Sequence, residues 1–466
     1  MKNTRIRKIA GIIVLACLFV ATNSAQTKYV SEWDAIDSRP IPEWFTDAKF
    51  GIFIHWGVYS VPAWGPLPKD GAKGIYECYS EHYWNRLANN NPMFVKYHHQ
   101  MYGENFKYPD FVKDFKCEMF KPDEWAKLFQ EAGAKYVVLT SKHHDGYALW
   151  PSEYAWNWNA VDVGPHRDIL GDLTAAVKNT GLHMGYYYSL LEWFNPLYQK
   201  DIHGYVERHM LPQMKELVNK YEPDIFWPDG EWDYTSDTLR STDFLAWLYN
   251  ESPVKETVVV NDRWGKETRS KHGGYYTTEY DLVHSDNIKG SRIYHPWEEC
   301  RGIGHSFGFN RNENLEDYST SEELVHLLVE KVALGGNLLL NIGPTADGRI
   351  PVIMQQRLMD IGQWLKVNGE AIYATKPWDV TSKNDDISAY YTTKGNDLYV
   401  IFTKYPTKAV TIKNIVKKPA SVRLLGTDPK VSYTYNGKEL TIQPAALTVD
   451  QAPCDYAWVF KVSGGL

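Results

Sequence analysis

Residues that can do acid, base and hydrogen-bonding chemistry recur in this 466-residue chain at the ends of short apolar runs. In order, the runs finish at His55-Trp56, Lys142-His143-His144-Asp145-Gly146, Tyr186-Tyr187-Tyr188-Ser189, Trp227-Pro228-Asp229-Gly230, Asn261-Asp262-Arg263-Trp264, Thr278-Glu279-Tyr280 and Asn341-Ile342-Gly343-Pro344. Carboxylates serve as nucleophiles or as general acids and bases, and a neutral imidazole both donates and accepts a hydrogen bond. Polar residues at strand ends are what a barrel of parallel strands gathers at the face that carries its active site. The chain reads as an enzyme on this ground alone.

The elements that must position these residues follow from the pattern between them. Pro122-Asp123-Glu124 opens a helix whose apolar residues recur at helical spacing, and Gly133 ends it. The run Ala134 to Thr140 is short, β-branched and nearly all apolar, as a strand buried on both faces should be. The alternation continues with a helix from Asp168 to Thr180, a strand from Leu182 to Tyr188, a helix from Tyr205 to Tyr221 and a strand from Asp224 to Trp227. Repeated βα units imply a parallel sheet or barrel. From about Lys376 onward the helical period gives way to short alternating runs, Ser388 to Thr392, Leu398 to Thr403, Ala409 to Ile412 and Val431 to Tyr435. Asn436-Gly437 predicts a two-residue hairpin turn with both residues at positive φ. The fold class expected is therefore α/β: a (β/α)8-like TIM barrel over residues 26–375, followed by an antiparallel β-sandwich over 376–466 that covers the barrel's side.

Hydrophobic residues at 44% and charged ones at 23% are ordinary for a globular protein. Lys2, Arg5, Arg7 and Lys8 precede an apolar stretch from Ile9 to Ala21, and Asn23-Ser24-Ala25 offers small or polar residues for cleavage near Gln26. Residues 1–25 thus predict a secretory leader, too short for a comfortable membrane span. Cys17 lies inside that stretch, and lipidation there is the alternative reading. The formal charge is −7, and removal of the leader makes the product more acidic still. Such an export product is a poor nucleic-acid binder, and its compartment is expected to be periplasmic or extracellular. Cys78, Cys117, Cys300 and Cys454 are widely scattered without metal-site spacing, and their pairing cannot be read from sequence.

The blocks Phe50-Gly51-Ile52-Phe53-Ile54-His55-Trp56-Gly57, Lys142 to Gly146, Trp227 to Gly230, Tyr276 to Tyr280, Trp297-Glu298-Glu299-Cys300 and Gly335 to Pro344 stand in one order. Together they resemble the α-L-fucosidase family of retaining glycoside hydrolases, from about Trp33 to the chain's end. The resemblance implies exo-hydrolysis of terminal α-L-fucose from oligosaccharides or glycoconjugates through a covalent fucosyl-enzyme, with no cofactor and no metal. It puts the nucleophile on Asp229 and the acid/base on Glu279, with Glu298 as the rival. Glu279 is then expected to have a raised pKa, so that it is protonated when it donates. His55, Glu81, His143, His144, Tyr187 and Arg263 match residues that bind fucose hydroxyls, and Trp227 matches the stacking residue. His82 stands where many relatives have Trp, which implies a more polar leaving-group side. The 18 Trp and 32 Tyr suit a site that holds a sugar's C–H face and its hydroxyls, and core packing accounts for most of them equally well.

Two other function classes remain open at this point. In a metal-dependent barrel hydrolase, His55, His143, His144, Asp145, Glu81 and Asp229 would form the ligand pool, although no H-x-H or H-E-x-x-H spacing occurs. Adjacent His143 and His144 would also point to opposite faces unless the strand ends before them. A non-catalytic fucose-binding protein is the third reading, and the presence of both carboxylates argues against it. Asp145 reads as a helix-facing residue or as a partner that orients His144, rather than as a substrate contact. Linkage preference and subunit number are not encoded legibly, and a homo-oligomer is compatible with the chain.

Overall fold

The computed structural model describes residues 28–281, 295–378, 389–427 and 431–466. The leader, Cys17 and Ser388 lie outside them. Eight parallel strands form one curled sheet: β1 Phe50–Ile54, β2 Tyr136–Lys142, β3 His183–Ser189, β4 Ile225–Asp229, β5 Val259–Val260, β6 Tyr276–Glu279, β7 Trp297–Gly302 and β8 Asn337–Ile342. Their order is β5-β4-β3-β2-β1-β8-β7-β6. The two edges meet through a single parallel bridge, Asn261 to Tyr275. Gly274 permits that approach, since a Cβ there would lie 1.8 Å from the Val260 carbonyl oxygen. The TIM-like barrel expected from the sequence is present.

Parity along the strands decides what faces inward. Tyr136 and Val138 of β2, Tyr187 of β3, and Ile225 and Trp227 of β4 share the interior cluster with Phe53 and Leu339. Val137, Leu139, Tyr186, Tyr188 and Phe226 point outward into the layer of helices. That layer includes helices Pro122–Glu131, Ile169–Asn179, Leu211–Tyr221, Ser241–Asn250, Ser321–Ala333 and Val352–Asn368. The Asp168 side chain caps the second by accepting from Gly171 N at 2.9 Å.

Three local expectations need correction. The apolar-run pattern omits β7, whose Glu298, Glu299 and Arg301 break it. The expected helix Tyr205 to Tyr221 is in three parts, with a π turn at Val206–Met210 ahead of Leu211–Tyr221. Pro212 has no N–H to donate and its ring opposes the carbonyl four residues back, which a π turn accommodates. The link after Tyr435 is four residues long, because Tyr435 pairs with Leu440. Only Gly437 takes positive φ there, while the Asn436 side chain accepts from Lys438 N and Glu439 N.

The C-terminal region is a sandwich of two antiparallel sheets. Strands β9 Lys376–Pro377, β10 Ala389–Lys394, β11 Asp397–Phe402, β12 Val410–Ile412, β13 Ser421–Leu424, β14 Ser432–Tyr435, β15 Leu440–Gln443 and β16 Trp458–Ser463 pair as β13-β16-β11-β10-β9 and β12-β15-β14. Leu398, Val400 and Phe402 face the second sheet's Val410, Ile412, Leu440 and Ile442. The alternate residues Tyr399 and Ile401 join the barrel's outer core. Trp364 Nε1 donates to the Ala457 carbonyl at 2.8 Å, which ties the two parts together.

Candidate active site

Asp229 is the last residue of β4 and shares strand parity with Ile225 and Trp227, so its carboxylate rises from the barrel interior into the mouth. Gly230 follows at φ +77 and turns the chain away. Asp229 Oδ1 accepts from Arg263 Nη1 at 2.6 Å, and Oδ2 accepts from Tyr187 OH at 2.9 Å. His144 Nε2 lies 3.6 Å from Oδ2, and Arg269 Nη2 lies 3.7 Å from Oδ1. Burial alone would raise the pKa of this carboxyl. Arg263, His144 and Arg269 outweigh that penalty and hold it well below the usual carboxylate range.

Arg263 reaches the site because the turn after β5 is locked from beneath. The Asn261 side chain accepts from Arg263 N at 2.9 Å, and Asn261 Nδ2 donates to the Pro228 carbonyl at 3.1 Å. Asp262, fully buried, accepts from Thr277 N, Thr277 Oγ1 and Ser270 N. Thr277 Oγ1 in turn takes the Arg263 Nε donor at 3.0 Å. The guanidinium then lies 4.5 Å above the Trp227 ring, with Nη1 on Asp229 and Nη2 3.5 Å from Glu279 Oε2. One planar cation thus touches both carboxylates. Glu279 Oε1 also accepts from Tyr79 OH at 2.8 Å.

Strand register separates Glu279 from Glu298. Glu279 lies opposite Cys300, whereas Glu298 lies opposite Thr277, two residues deeper in the barrel. At about 3.3 Å of rise per residue that is about 6–7 Å of depth. Glu298 is fully buried, accepts from Tyr136 OH at 2.6 Å and Trp227 Nε1 at 2.9 Å, and does not line the cavity. Burial pushes its pKa up to about 7, against the donors that favour the anion.

Hydrogen bonds fix two of the histidine tautomers. Asn341 Nδ2 donates to the Phe307 carbonyl, so its Oδ1 must accept from His55 Nδ1–H at 2.7 Å, which leaves the lone pair on Nε2. Ser189 Oγ donates to the Leu191 carbonyl and therefore accepts from His144 Nδ1–H at 2.6 Å. Burial lowers the pKa of His55 to about 3 and of His144 to about 4, so both are neutral. Burial and the neighbouring imidazoles also hold His143 well below its ordinary value. Glu81 accepts from Ser306 Oγ and Gly308 N, both at 2.9 Å, and burial raises it to about 7.

All nine residues singled out from the sequence line one cavity of about 470 Å³: His55, Glu81, His143, His144, Tyr187, Trp227, Asp229, Arg263 and Glu279. That volume is on the scale of small-ligand sites, about 300–1,000 Å³. Because β2 ends at Lys142, His143 and His144 both turn into the mouth, with ring centroids 4.2 Å apart. Of the two readings of Asp145 that the sequence leaves open, the one that has it orient His144 does not hold. Its carboxylate accepts from Tyr108 OH at 2.7 Å and Tyr147 N at 3.1 Å, and Ser189 orients the imidazole instead. Sequence reasoning missed Tyr79, Arg269, Glu231 and Trp232, which also line the cavity. Tyr79 adjoins the quoted Glu81, but Arg269 comes from a turn with no periodic signal. Among the described residues, one histidine group has the spacing to hold a metal: His82, His143 and His144, with ligand atoms within 4.8 Å of one another. Cys78, Cys117, Cys300 and Cys454 are free thiols.

Two family models match the chain, "Alpha-L-fucosidase" over residues 16–370 and "Alpha-L-fucosidase C-terminal domain" over residues 383–463. The chain is 43% identical to human tissue alpha-L-fucosidase over 449 residues, covering 94% of this chain and 92% of that protein. It is 45% identical to the alpha-L-fucosidase of Dictyostelium discoideum over 476 residues, covering 97% and 99%. The solved structure of Thermotoga maritima alpha-fucosidase in complex with a mechanism-based inhibitor superposes with a TM-score of 0.80 at 37% identity, covering 93% of this chain and 99% of that one. The chain belongs to the alpha-L-fucosidase family of glycoside hydrolases.

Proposed function

We propose that this chain is an exo-acting α-L-fucosidase that releases terminal fucose with retention, Asp229 serving as nucleophile and Glu279 as acid/base. In the first step an Asp229 oxygen bonds to the anomeric carbon while the glycosidic C–O bond breaks, and Glu279 gives its proton to the departing oxygen. In the second, Glu279 takes a proton from water as that water's oxygen displaces Asp229. The observation that carries this reading is the Arg263 guanidinium in contact with both carboxylates. It makes them close neighbours, and retaining enzymes need carboxyls about 5–5.5 Å apart, with no water between.

The surroundings support the division of labour. Arg263 and Tyr187 keep Asp229 ionised and aimed, while Glu279, the half-buried last residue of β6, stands at the mouth, where a leaving group would depart. Neutral His55 keeps its Nε2 lone pair for a sugar hydroxyl, and His143, His144 and Glu81 extend that polar wall. Trp227 and Phe53 close the floor, which suits an enzyme that accepts a chain end. Fucosylated oligosaccharides or glycoconjugates are the substrates this predicts. The basic, then apolar N-terminus favours export with cleavage near Gln26 to a periplasmic or extracellular place. Among the described residues, no helix is long and apolar enough to cross a membrane.

Incubation of the chain, after dialysis against EDTA, with an aryl α-L-fucoside tests the reading. Full turnover is expected, and NMR should show α-fucose as the first-formed sugar. Initial β-fucose would exclude retention, loss of activity restored by stoichiometric zinc would favour the metal-dependent hydrolase, and binding without turnover would favour a sugar-binding protein.

A further inference from the structure

We propose that His82, His143 and His144 form a binding site for a divalent transition-metal ion, zinc in particular, whose occupancy excludes the sugar from the barrel mouth. The three imidazoles come from two segments that meet there. His82 ends the short turn Ser80–His82, and the other two follow β2 directly. Their ligand atoms lie within 4.8 Å of one another. His82 lies 5.8 Å from His144 and 6.1 Å from His143, centroid to centroid.

Two further observations point to a ligand. His143 is only 4% exposed, yet its Nδ1 has no hydrogen-bond partner among the described residues. A buried ring nitrogen without a partner is costly, and a cation accepting its lone pair removes that cost. The second is the His144 lone pair: Ser189 Oγ holds its Nδ1–H, which leaves the lone pair of Nε2 to a cation in the cluster.

The donor set selects the ion. Neutral imidazoles suit Zn²⁺, Cu²⁺ and Ni²⁺ and offer little to Mg²⁺ or Ca²⁺, which take oxygen ligands. Zn–N bonds of about 2.0–2.1 Å in tetrahedral geometry bring ligand nitrogens to roughly 3.3 Å apart. Ring rotation of His82 and His143 provides that closure, while the Ser189 hydrogen bond keeps His144 as the fixed arm. Three ligands leave a fourth position open to water.

This ion opposes the proposed catalysis rather than serving it, because it occupies the same imidazoles assigned to the sugar. The competition rests on the proposed function, whereas the binding of the ion does not. Equilibrium dialysis with zinc chloride should show one saturable ion per chain that raises the unfolding temperature. Fucose, whose own binding is measured first without zinc, should weaken zinc binding in proportion to its occupancy. His82→Phe keeps a ring beside Trp193 and should weaken zinc binding at least about tenfold. Absence of saturable zinc binding, or binding unchanged in His82→Phe, would overturn the site. Zinc that bound fucose fails to displace would overturn the exclusion. Should His82→Phe fail to fold, the fucose competition in the unaltered chain decides the matter. Fucose that does not bind at all would refute the sugar-site reading while His82-dependent zinc binding still stood.

Discussion

Truncating Glu298 and Glu279 separately distinguishes a carboxyl that supports the cavity floor from one that acts on substrate. Glu298→Ala leaves Tyr136 OH and Trp227 Nε1 as two buried donors without an acceptor. At about 1–3 kcal/mol for each, the loss of stability is about 2–6 kcal/mol, read as a lower urea midpoint. Activity falls as well, because Trp227 loses its anchor, but by a similar factor for activated and poor leaving groups. Glu279→Ala lies at the mouth and leaves only Tyr79 OH and one Arg263 donor to be resolvated, so its midpoint changes little. Its kcat/KM should drop by about 10²–10⁴ on a natural-type leaving group and far less on a nitrophenyl fucoside, whose departing oxygen hardly needs a proton. Azide should then attack the accumulated fucosyl-enzyme and, after two inversions, give α-fucosyl azide. The reasoning is refuted if Glu298→Ala shows the leaving-group dependence and the azide product while Glu279→Ala shows neither.

Tyr187→Phe removes the hydroxyl that donates to Asp229 Oδ2 at 2.9 Å. A hydrogen bond to a charged group contributes about 1.5–3 kcal/mol, so kcat/KM should fall roughly 10- to 100-fold with the acid limb of the pH profile moved upward, and an unchanged profile would contradict the assignment. Stability should also depend on pH with a defined sign. Burial raises Glu81 and Glu298 from 4.5 to about 7 and Asp145 from 3.8 to about 6, so the folded chain holds protons that the unfolded chain has released. That contribution is complete below the unfolded values and disappears as pH rises through about 6–7. Lys142 and His209, against the cost of burial, hold Glu192 at about 2, so stability also falls in strong acid. The buried neutral His55 and His144, held at about 3 and 4, act in the opposite sense and lose stability as pH falls below about 6.5, so the carboxyl effect stands alone only above that pH: the thermal midpoint should fall between about pH 6.5 and 8, and a midpoint rising steadily to pH 8 would contradict the buried-carboxyl account.

The residues that were readable in the sequence are those whose role follows from strand parity and a turn signal. Asp229 is one, since an apolar run ending in Asp-Gly places a carboxylate at a barrel mouth. β7 was not readable as an apolar strand, because Glu298, Glu299 and Arg301 interrupt it. Their charges are tolerated through partners: Tyr136 and Trp227 on other strands for Glu298, Arg301 of the same strand for Glu299, and Asp281 beyond β6 for Arg301. β5 is only two residues long, yet the apolar run that ends at Asn261 marks it; what a single segment does not show is its pairing with β4 and the Asn261 bridge that Gly274 permits. Arg269 enters from a turn, so its approach to Asp229 depends wholly on tertiary structure. Adjacency in sequence offers Asp145 as a partner for His144, yet Ser189, on the next strand, orients it. Register, too, lies beyond a single segment, and register alone puts Glu298 below the site and Glu279 in it.

Trapping the intermediate tests the central claim most directly. A fucosyl fluoride with fluorine at C2 forms the ester with the nucleophile but hydrolyses slowly, so the labelled protein can be digested and its peptides weighed. One fluorofucosyl group should be found per chain, in the peptide that contains Trp227-Pro228-Asp229-Gly230, with fragmentation placing it on Asp229. A label on Glu279, Glu231 or Glu298, or turnover of the fluoride with no covalent adduct at any time point, would contradict the account.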